Sequence, residues 1–119
     1  MDRKEYLQAV CDSQISPMEV FMKQQEDPGS YYIIDVRIGP KEFRAEKIIG
    51  AVEIPLMELP QSLDRIPRDK KIAVATWGAF CTLAKQASLI LLNAGYDVIE
   101  IGGGVAAWKE SNLPVEPVA

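Results

Sequence analysis

The chain has 119 residues, a length that suits one domain with one hydrophobic core. Its formal net charge of −4 gives no electrostatic reason to expect binding to nucleic acid or to an anionic membrane. No apolar run approaches the length of a membrane span, and the first ten residues lack the apolar stretch of a secretory signal. We therefore expect a cytoplasmic protein.

Histidine is absent and the chain has two cysteines, Cys11 and Cys81. The usual general base and the commonest metal ligand are therefore missing. Two cysteines cannot form a cysteine-only zinc site within one chain, and they provide no disulfide framework. We expect no metal and no cofactor, and we expect any chemistry to use a nucleophile activated by backbone dipoles or by Lys and Arg.

The first half of the chain predicts short elements that alternate in type. Ser16 and Pro17 indicate a helix start, because serine caps helices and proline fits the first helical position. The Asp-Pro-Gly-Ser run at 27–30 ends this helix. The segments that follow are a strand at 31–37, a short helix at 41–46, a strand at 50–55 and a weak helix at 57–63.

The second half continues the alternation. A strand at 71–76 leads into the strongest helix, at 82–93, which Gly95 ends. A strand at 97–101 and a glycine turn at 102–104 precede a short helix at 105–110, and prolines keep the tail extended. The pattern predicts one α/β domain over residues 1–119, with a mostly parallel central sheet and helices on both faces.

The loop between the strand at 71–76 and the strongest helix is the candidate site, because sites in such sheets form beyond the carboxyl ends of the strands. A helix N-terminus exposes unpaired N–H groups and carries a partial positive charge. Gly78 and Ala79 allow a tight backbone, so several amides could point into one hollow. Thr82 is a candidate N-cap. Such a cradle can stabilise a thiolate, a persulfide or an oxyanion without histidine.

Two residues compete for the role of nucleophile in this loop. Thr76 ends the strand, but its hydroxyl ionises far above a thiol and has no base to activate it. Cys81 lies near the helix N-terminus, where a thiolate is favoured. A lone cysteine is also commonly a small packing residue, and this reading stays open for Cys81 and is preferred for Cys11. Trp77 either walls a pocket or packs.

Two other features have ordinary explanations. The glycines at 102–104 lack the remaining residues of a nucleotide-binding loop, so we interpret them as a tight turn. Lys41, Arg44 and Lys47 form a local basic cluster, interpreted as a solvated helix face, with an anion-facing role as the alternative.

Several segments, in order, resemble the rhodanese-like (sulfurtransferase) domain family. "YYIIDVR" is similar to its Asp-Val-Arg strand, with Glu42 and Phe43 at the family's Glu-Phe/Tyr positions. "EKIIGAVEIPLMEL" resembles its Gly-His-Ile-Pro-Gly-Ala-Xaa-Asn-Ile-Pro segment, and "KKIAVAT" resembles the strand before its catalytic loop. "NAGYDVIEIGGGVAAWKESNLPVE" is similar to its C-terminal signature. The resemblance covers residues 16–116 and implies a three-layer rhodanese-like fold that carries a persulfide.

The resemblance also assigns positions in the site. The family's catalytic cysteine would fall at Thr76, and the loop is similar to a longer variant, Cys-Trp-Gly-Xaa-Gly-Cys-Asn-Gly-Ala, in which Trp77, Gly78 and Cys81 are retained. Lys47 stands where the family has histidine. No arginine lies in the loop. The resemblance implies the following site: Thr76 and Cys81 as catalytic positions, Trp77, Gly78, Ala79, Phe80 and Thr82 as the loop, and Asp35, Arg37, Glu42 and Lys47 as supporting residues.

Two functions follow from this assignment. The first is a non-catalytic module that binds an anion or a protein partner or has a regulatory role, since Thr76 cannot carry a sulfane sulfur. The second is a thiosulfate or persulfide sulfurtransferase in which Cys81 is a displaced nucleophile. The expected partners are a small sulfur-containing anion or a thiol, together with an unknown protein partner. A phosphatase or arsenate reductase is disfavoured, because those reactions need a cysteine at the loop start and usually an arginine at its end.

Overall fold

A computed structural model of the protein describes all residues, Met1–Ala119. The four α-helices are α1 (Arg3–Ser13), α2 (Pro17–Glu26), α3 (Leu83–Asn93) and α4 (Gly104–Glu110). The seven strands are β1 (Gln14–Ile15), β2 (Tyr31–Asp35), β3 (Glu46–Ile48), β4 (Val52–Glu53), β5 (Lys71–Ala75), β6 (Val98–Ile101) and β7 (Val115–Pro117). Three 3₁₀ helices cover Lys41–Arg44, Leu56–Gln61 and Leu63–Arg65.

The central sheet has five strands in the order β1-β6-β5-β2-β4, and every pair in it is parallel. The β2–β5 pair has the longest register, from Tyr31 opposite Lys71 to Asp35 opposite Ala75. A second, two-stranded sheet joins β3 and β7 in antiparallel orientation. The prediction of an α/β domain with a mostly parallel central sheet is confirmed.

The sheet separates two apolar clusters, because successive side chains of a strand point to opposite faces. Ile33, Ala73 and Ala75 face the cluster that contains Val20 of α2 and Trp108 of α4. Their neighbours Ile34, Ile72 and Val74 face the cluster that contains Ala84, Ala87 and Leu91 of α3. The helices therefore cover both faces of the sheet.

Helix ends follow the sequence signals in part. Ser16 caps α2 by accepting a hydrogen bond from the Glu19 amide at 3.2 Å. Thr82 occupies the N-cap position of α3, but its side chain makes no capping bond and instead accepts from Gln86 Nε2 at 3.0 Å. The α3 N-terminus is therefore left without a side-chain cap.

Several predicted elements need correction. The strand at 50–55 is reduced to Val52–Glu53. The short helix predicted at 41–46 is a 3₁₀ helix, and the weak helix predicted at 57–63 is replaced by two 3₁₀ helices, the first of which contains Pro60. The helix α1 and the strands β1, β3 and β7 were not predicted. No helix of the chain combines the length and apolarity needed to cross a membrane.

Candidate functional site

The candidate loop runs from Thr76 to Thr82 and connects the carboxyl end of β5 with the N-terminus of α3. Its neighbours are the segments that leave the carboxyl ends of β2 and β6. The sheet is parallel, so all three segments emerge at the same edge. This position agrees with the general rule that open α/β sheets bind ligands beyond the carboxyl ends of their strands.

Thr76 and Cys81 meet across the loop. Thr76 Oγ1 lies 3.0 Å from Cys81 Sγ, close enough for a hydrogen bond in which either atom is the donor. Thr76 is 1% exposed, whereas Cys81 is partly exposed and not bonded to another cysteine. The thiol is therefore the more accessible of the two groups, and it lies beside the end of the strand.

Two loop carbonyls are held by α4. The Val105 amide donates to the Thr76 carbonyl at 2.8 Å, and the Ala106 amide donates to the Trp77 carbonyl at 3.0 Å. The Cys81 amide donates to the Gly78 carbonyl at 3.2 Å, which closes the turn. The first two residues of the loop are therefore tied to α4, and the rest of the loop is closed by its own turn.

The remaining loop amides donate to no group of the chain. This holds for residues 77–80, for Thr82 and for the first turn of α3 up to Lys85. Unpaired amides gathered at the N-terminus of a helix attract negative charge. The loop therefore has the donor set of an anion cradle, although it contains no arginine or lysine.

Gly104 makes the contact between α4 and the loop possible. Its φ is +60°, and a Cβ at this position would lie 2.3 Å from the Thr76 carbonyl oxygen. A side chain here would push the loop away from α4. The glycine run at 102–104 was interpreted only as a tight turn, so sequence reasoning missed this contribution of Gly104, Val105 and Ala106 to the site.

Trp77 links the loop to the segment after β2. Its Nε1 donates to the Ile38 carbonyl at 3.1 Å, and the Arg37 guanidinium carbon lies 4.9 Å from the ring centroid. Arg37 is itself buried and paired with Asp35, with Nη2 at 2.8 Å from Oδ2. Its Nη2 also donates to the Glu46 carbonyl at 2.8 Å. Asp35 and Arg37 thus support the loop through Trp77.

Two of the predicted supporting residues, Glu42 and Lys47, lie away from the loop. Lys47 donates to the Ala51 carbonyl and pairs with Glu116 at 3.4 Å. Glu42 is exposed on the 3₁₀ helix and forms no hydrogen bond or ion pair, and Ala79 and Phe80 are exposed at the loop tip. The structure brings Thr76 and Cys81 together and places Arg37 against Trp77, but it brings neither Glu42 nor Lys47 to them.

The predicted basic cluster is not a cluster. Arg44 pairs with Glu53 at 2.6 Å and donates to the Gly39 carbonyl, while Lys47 is engaged with Glu116 on the small sheet. Both charges are paired with carboxylates. Only Lys41 remains a free surface charge.

Known proteins similar to this chain include a transcriptional regulator and two sulfurtransferases. An "HTH-type transcriptional regulator" of Mycobacterium tuberculosis is 32% identical over 93 residues, which cover 78% of this chain and 41% of that protein. This chain thus spans about two fifths of the regulator's length. A "Thiosulfate sulfurtransferase" of Escherichia coli is 33% identical over 72 residues, which cover 60% of this chain and 68% of that protein.

Structural similarity extends over the whole fold. The crystal structure of a full-length protein from Lactobacillus plantarum has a TM-score of 0.92 and 31% identity, covering 98% of this chain and 97% of that one. The family model described as "Rhodanese-like domain" matches residues 18–111. With most of the chain matched and the parallel fold in place, the chain belongs to the rhodanese-like domain family.

Proposed function

We propose that the protein is a non-catalytic rhodanese-like module that binds an anion or a partner at the loop after β5. The observation that carries the proposal is Thr76, a buried hydroxyl at the end of β5, where the resemblance puts the sulfur-carrying cysteine. A hydroxyl cannot hold a sulfane sulfur, and the chain contains no histidine to activate it. The unpaired loop amides remain available for binding.

A second function is favoured by one specific contact. The 3.0 Å separation between Cys81 Sγ and Thr76 Oγ1 brings a thiol to the expected position of the nucleophile. In this alternative the Cys81 thiolate takes the outer sulfur of thiosulfate and sulfite leaves. Cyanide then attacks the persulfide, leaves as thiocyanate and restores the thiolate. The loop amides would stabilise the persulfide anion.

Cyanolysis with thiosulfate separates the two functions. The binding module predicts no thiocyanate above the level of the Cys81→Ser variant, whereas the sulfurtransferase predicts turnover that Cys81→Ser abolishes. Cys11→Ser is the matched control, because it removes the exposed thiol on α1 and leaves the loop intact. Turnover that survives in Cys11→Ser and disappears in Cys81→Ser would contradict the non-catalytic proposal.

A gain-of-function variant tests whether the cradle is intact. Thr76→Cys restores the family residue, but the new sulfur would lie next to Cys81 and could form a disulfide with it. The double variant Thr76→Cys/Cys81→Ser avoids this outcome. Under the binding-module proposal it is expected to form thiocyanate where the wild type does not.

A further inference from the structure

A small pocket lies beside the loop, next to its contact with α4. Its volume is about 190 Å³, and its apolar walls are formed by Phe43, Ala45, Trp77, Val105 and the methyl group of Ala106. Neither Thr76 nor Cys81 lines it. The pocket is therefore separate from the threonine–cysteine pair, although Trp77 borders both.

Arg37 presents one open nitrogen at this pocket. Its Nε and Nη2 are engaged with Asp35 and the Glu46 carbonyl, whereas Nη1 donates to no group of the chain. The Arg37 side chain is 3% exposed, and no completely buried side-chain nitrogen or oxygen lacks a partner. Nη1 must therefore reach accessible space, and the pocket is the space that Arg37 lines.

The charges around the pocket favour an anion. Arg37 and Lys109 line it as cations and Glu46 lines it as a carboxylate, whereas Asp35 lies behind Arg37 and does not line it. Lys109 Nζ pairs with Glu46 Oε1 at 3.0 Å, but both side chains are about half exposed. A surface pair of this kind contributes little stability, so Lys109 can turn to a ligand at small cost.

The size and walls of the pocket limit the ligand. A cavity of roughly 150 Å³ with apolar walls is large enough for benzene. A single ring or a short branched chain therefore fits the space between Phe43 and α4. A planar carboxylate is the anion that matches the N–H groups of a guanidinium.

We propose that this pocket binds a small carboxylate with one aromatic or apolar group. The carboxylate accepts hydrogen bonds from Arg37 Nη1 and Lys109 Nζ, and the apolar group lies against Phe43 and Ala106. The inference goes beyond the proposed binding at the loop amides, because it adds a pocket beside the loop and names the class of ligand that fits it. The inference does not depend on Cys81. A ligand titration therefore tests the pocket, and cyanolysis separately tests whether Cys81 is catalytic.

Titration with benzoate, followed by ¹⁵N NMR, tests the proposal. The chain has two tryptophans, so the two indole signals report on the pocket-lining Trp77 and on the buried Trp108. We expect benzoate to shift the Trp77 signal in a saturable way and to leave Trp108 unchanged. Neutral benzamide, which has the same ring, is expected to cause a much smaller shift. An equal response to benzamide, or no response to benzoate, would overturn the proposal.

Two variants probe the pocket without touching the buried Arg37–Asp35 pair. Lys109→Gln removes one cation and is expected to raise the benzoate Kd roughly fivefold, since a charge-assisted bond becomes neutral. Ala106→Leu fills the pocket and is expected to abolish saturation. Lys71→Gln, at the exposed start of β5 and outside the pocket, is the matched control and should keep the wild-type Kd. A wild-type Kd in both pocket variants would exclude this pocket as the binding site.

Discussion

At the residue scale, Gly104 and Thr76 form the contact that positions the candidate loop. The main chain of α4 approaches the Thr76 carbonyl so closely that a Cβ at Gly104 would meet it at 2.3 Å. Gly50 also has a positive φ, of +78°, but a Cβ there would meet nothing within 4 Å. A side chain at Gly50 would therefore meet only backbone strain, whereas a side chain at Gly104 would meet backbone strain and a steric clash.

The substitution Gly104→Ala is expected to destabilise the protein by roughly 3 kcal/mol or more, because strain and overpacking add. Gly50→Ala carries the strain alone and should cost about 1–2 kcal/mol. Urea denaturation of both variants measures the difference. Equal losses of unfolding free energy in the two variants would show that α4 and the loop move apart at no cost to accommodate the added methyl group.

The buried Asp35–Arg37 pair gives a second prediction at this scale. Asp35→Asn leaves the guanidinium without its counter-charge and is expected to lower the free energy of unfolding by about 3–5 kcal/mol. The exposed Lys109–Glu46 pair is the comparison, and Lys109→Gln should cost at most about 1 kcal/mol. Thermal or urea unfolding measures the loss of stability in each variant. A small loss of unfolding free energy in Asp35→Asn would mean that water already solvates the Asp35–Arg37 pair.

At the element scale, α1 and α2 differ in how strongly they couple to the core. Both begin with a side-chain cap, Asp2 for α1 and Ser16 for α2. The helix α1 buries no residue, whereas α2 buries Val20 and packs Phe21 edge-on against Trp108 at 6.4 Å between ring centroids. The same kind of cap should therefore have different effects in the two helices.

The substitution Ser16→Ala is expected to lower global stability by about 1 kcal/mol, since α2 unfolds with the core. Asp2→Ala should leave the unfolding midpoint unchanged and instead increase hydrogen exchange at the first amides of α1. Midpoints from urea unfolding and exchange rates by NMR test this pair. A lowered midpoint in Asp2→Ala would show that α1 contributes to the cooperative unit.

The sequence allowed prediction of the elements that bury apolar residues. The strands β2, β5 and β6 read as apolar runs because helices cover both of their faces, and α3 shows a helical apolar stripe. The strands β1, β3 and β7 have only two or three residues, and their pairing depends on distant partners that a local pattern cannot show. The helix α1 was missed because it has no buried stripe.

At the scale of the whole molecule, the C-terminal tail closes against the segment after β2. Strand β7 pairs with β3, and Glu116 accepts from the Gly50 amide and pairs with Lys47. The hydrogen bond from Gly50, with the nearby charge of Lys47, holds the pKa of Glu116 below its ordinary value of 4.5. The ionised form is therefore favoured by folding.

A carboxyl whose pKa is lowered by folding stabilises the fold at any pH above its pKa in the unfolded chain. This contribution is lost as the pH falls through the pKa of the carboxyl in the folded protein. We expect Glu116→Gln to melt at a lower temperature than the wild type at pH 7. The difference in melting temperature between the two proteins should disappear as the pH falls well below 4.5. Glu110→Gln is the control, since Glu110 is exposed and forms no ion pair. A difference in melting temperature that persists in acid would mean that Glu116 stabilises the tail through contacts other than those of its ionised carboxylate.

The sequence also located the candidate loop but not its geometry. Strand, small residues and helix in order predicted an amide-lined turn after β5. The 3.0 Å contact between Thr76 and Cys81 depends on the path of the turn, and the pocket depends on Phe43 and Lys109, which lie far from the loop in sequence. Such distances arise from tertiary packing and leave no local signal.

The two bonds from α4 to the loop carbonyls have an electrostatic consequence. In a trans peptide the N–H points opposite to the C=O, so holding the carbonyls of Thr76 and Trp77 against α4 turns the next two amides the other way. The positive electrostatic potential of the loop thus comes from the orientation of its peptide N–H groups, which do not titrate. Since the chain has no histidine, affinity for a fully ionised anion at the loop should stay level from mildly acidic to neutral pH.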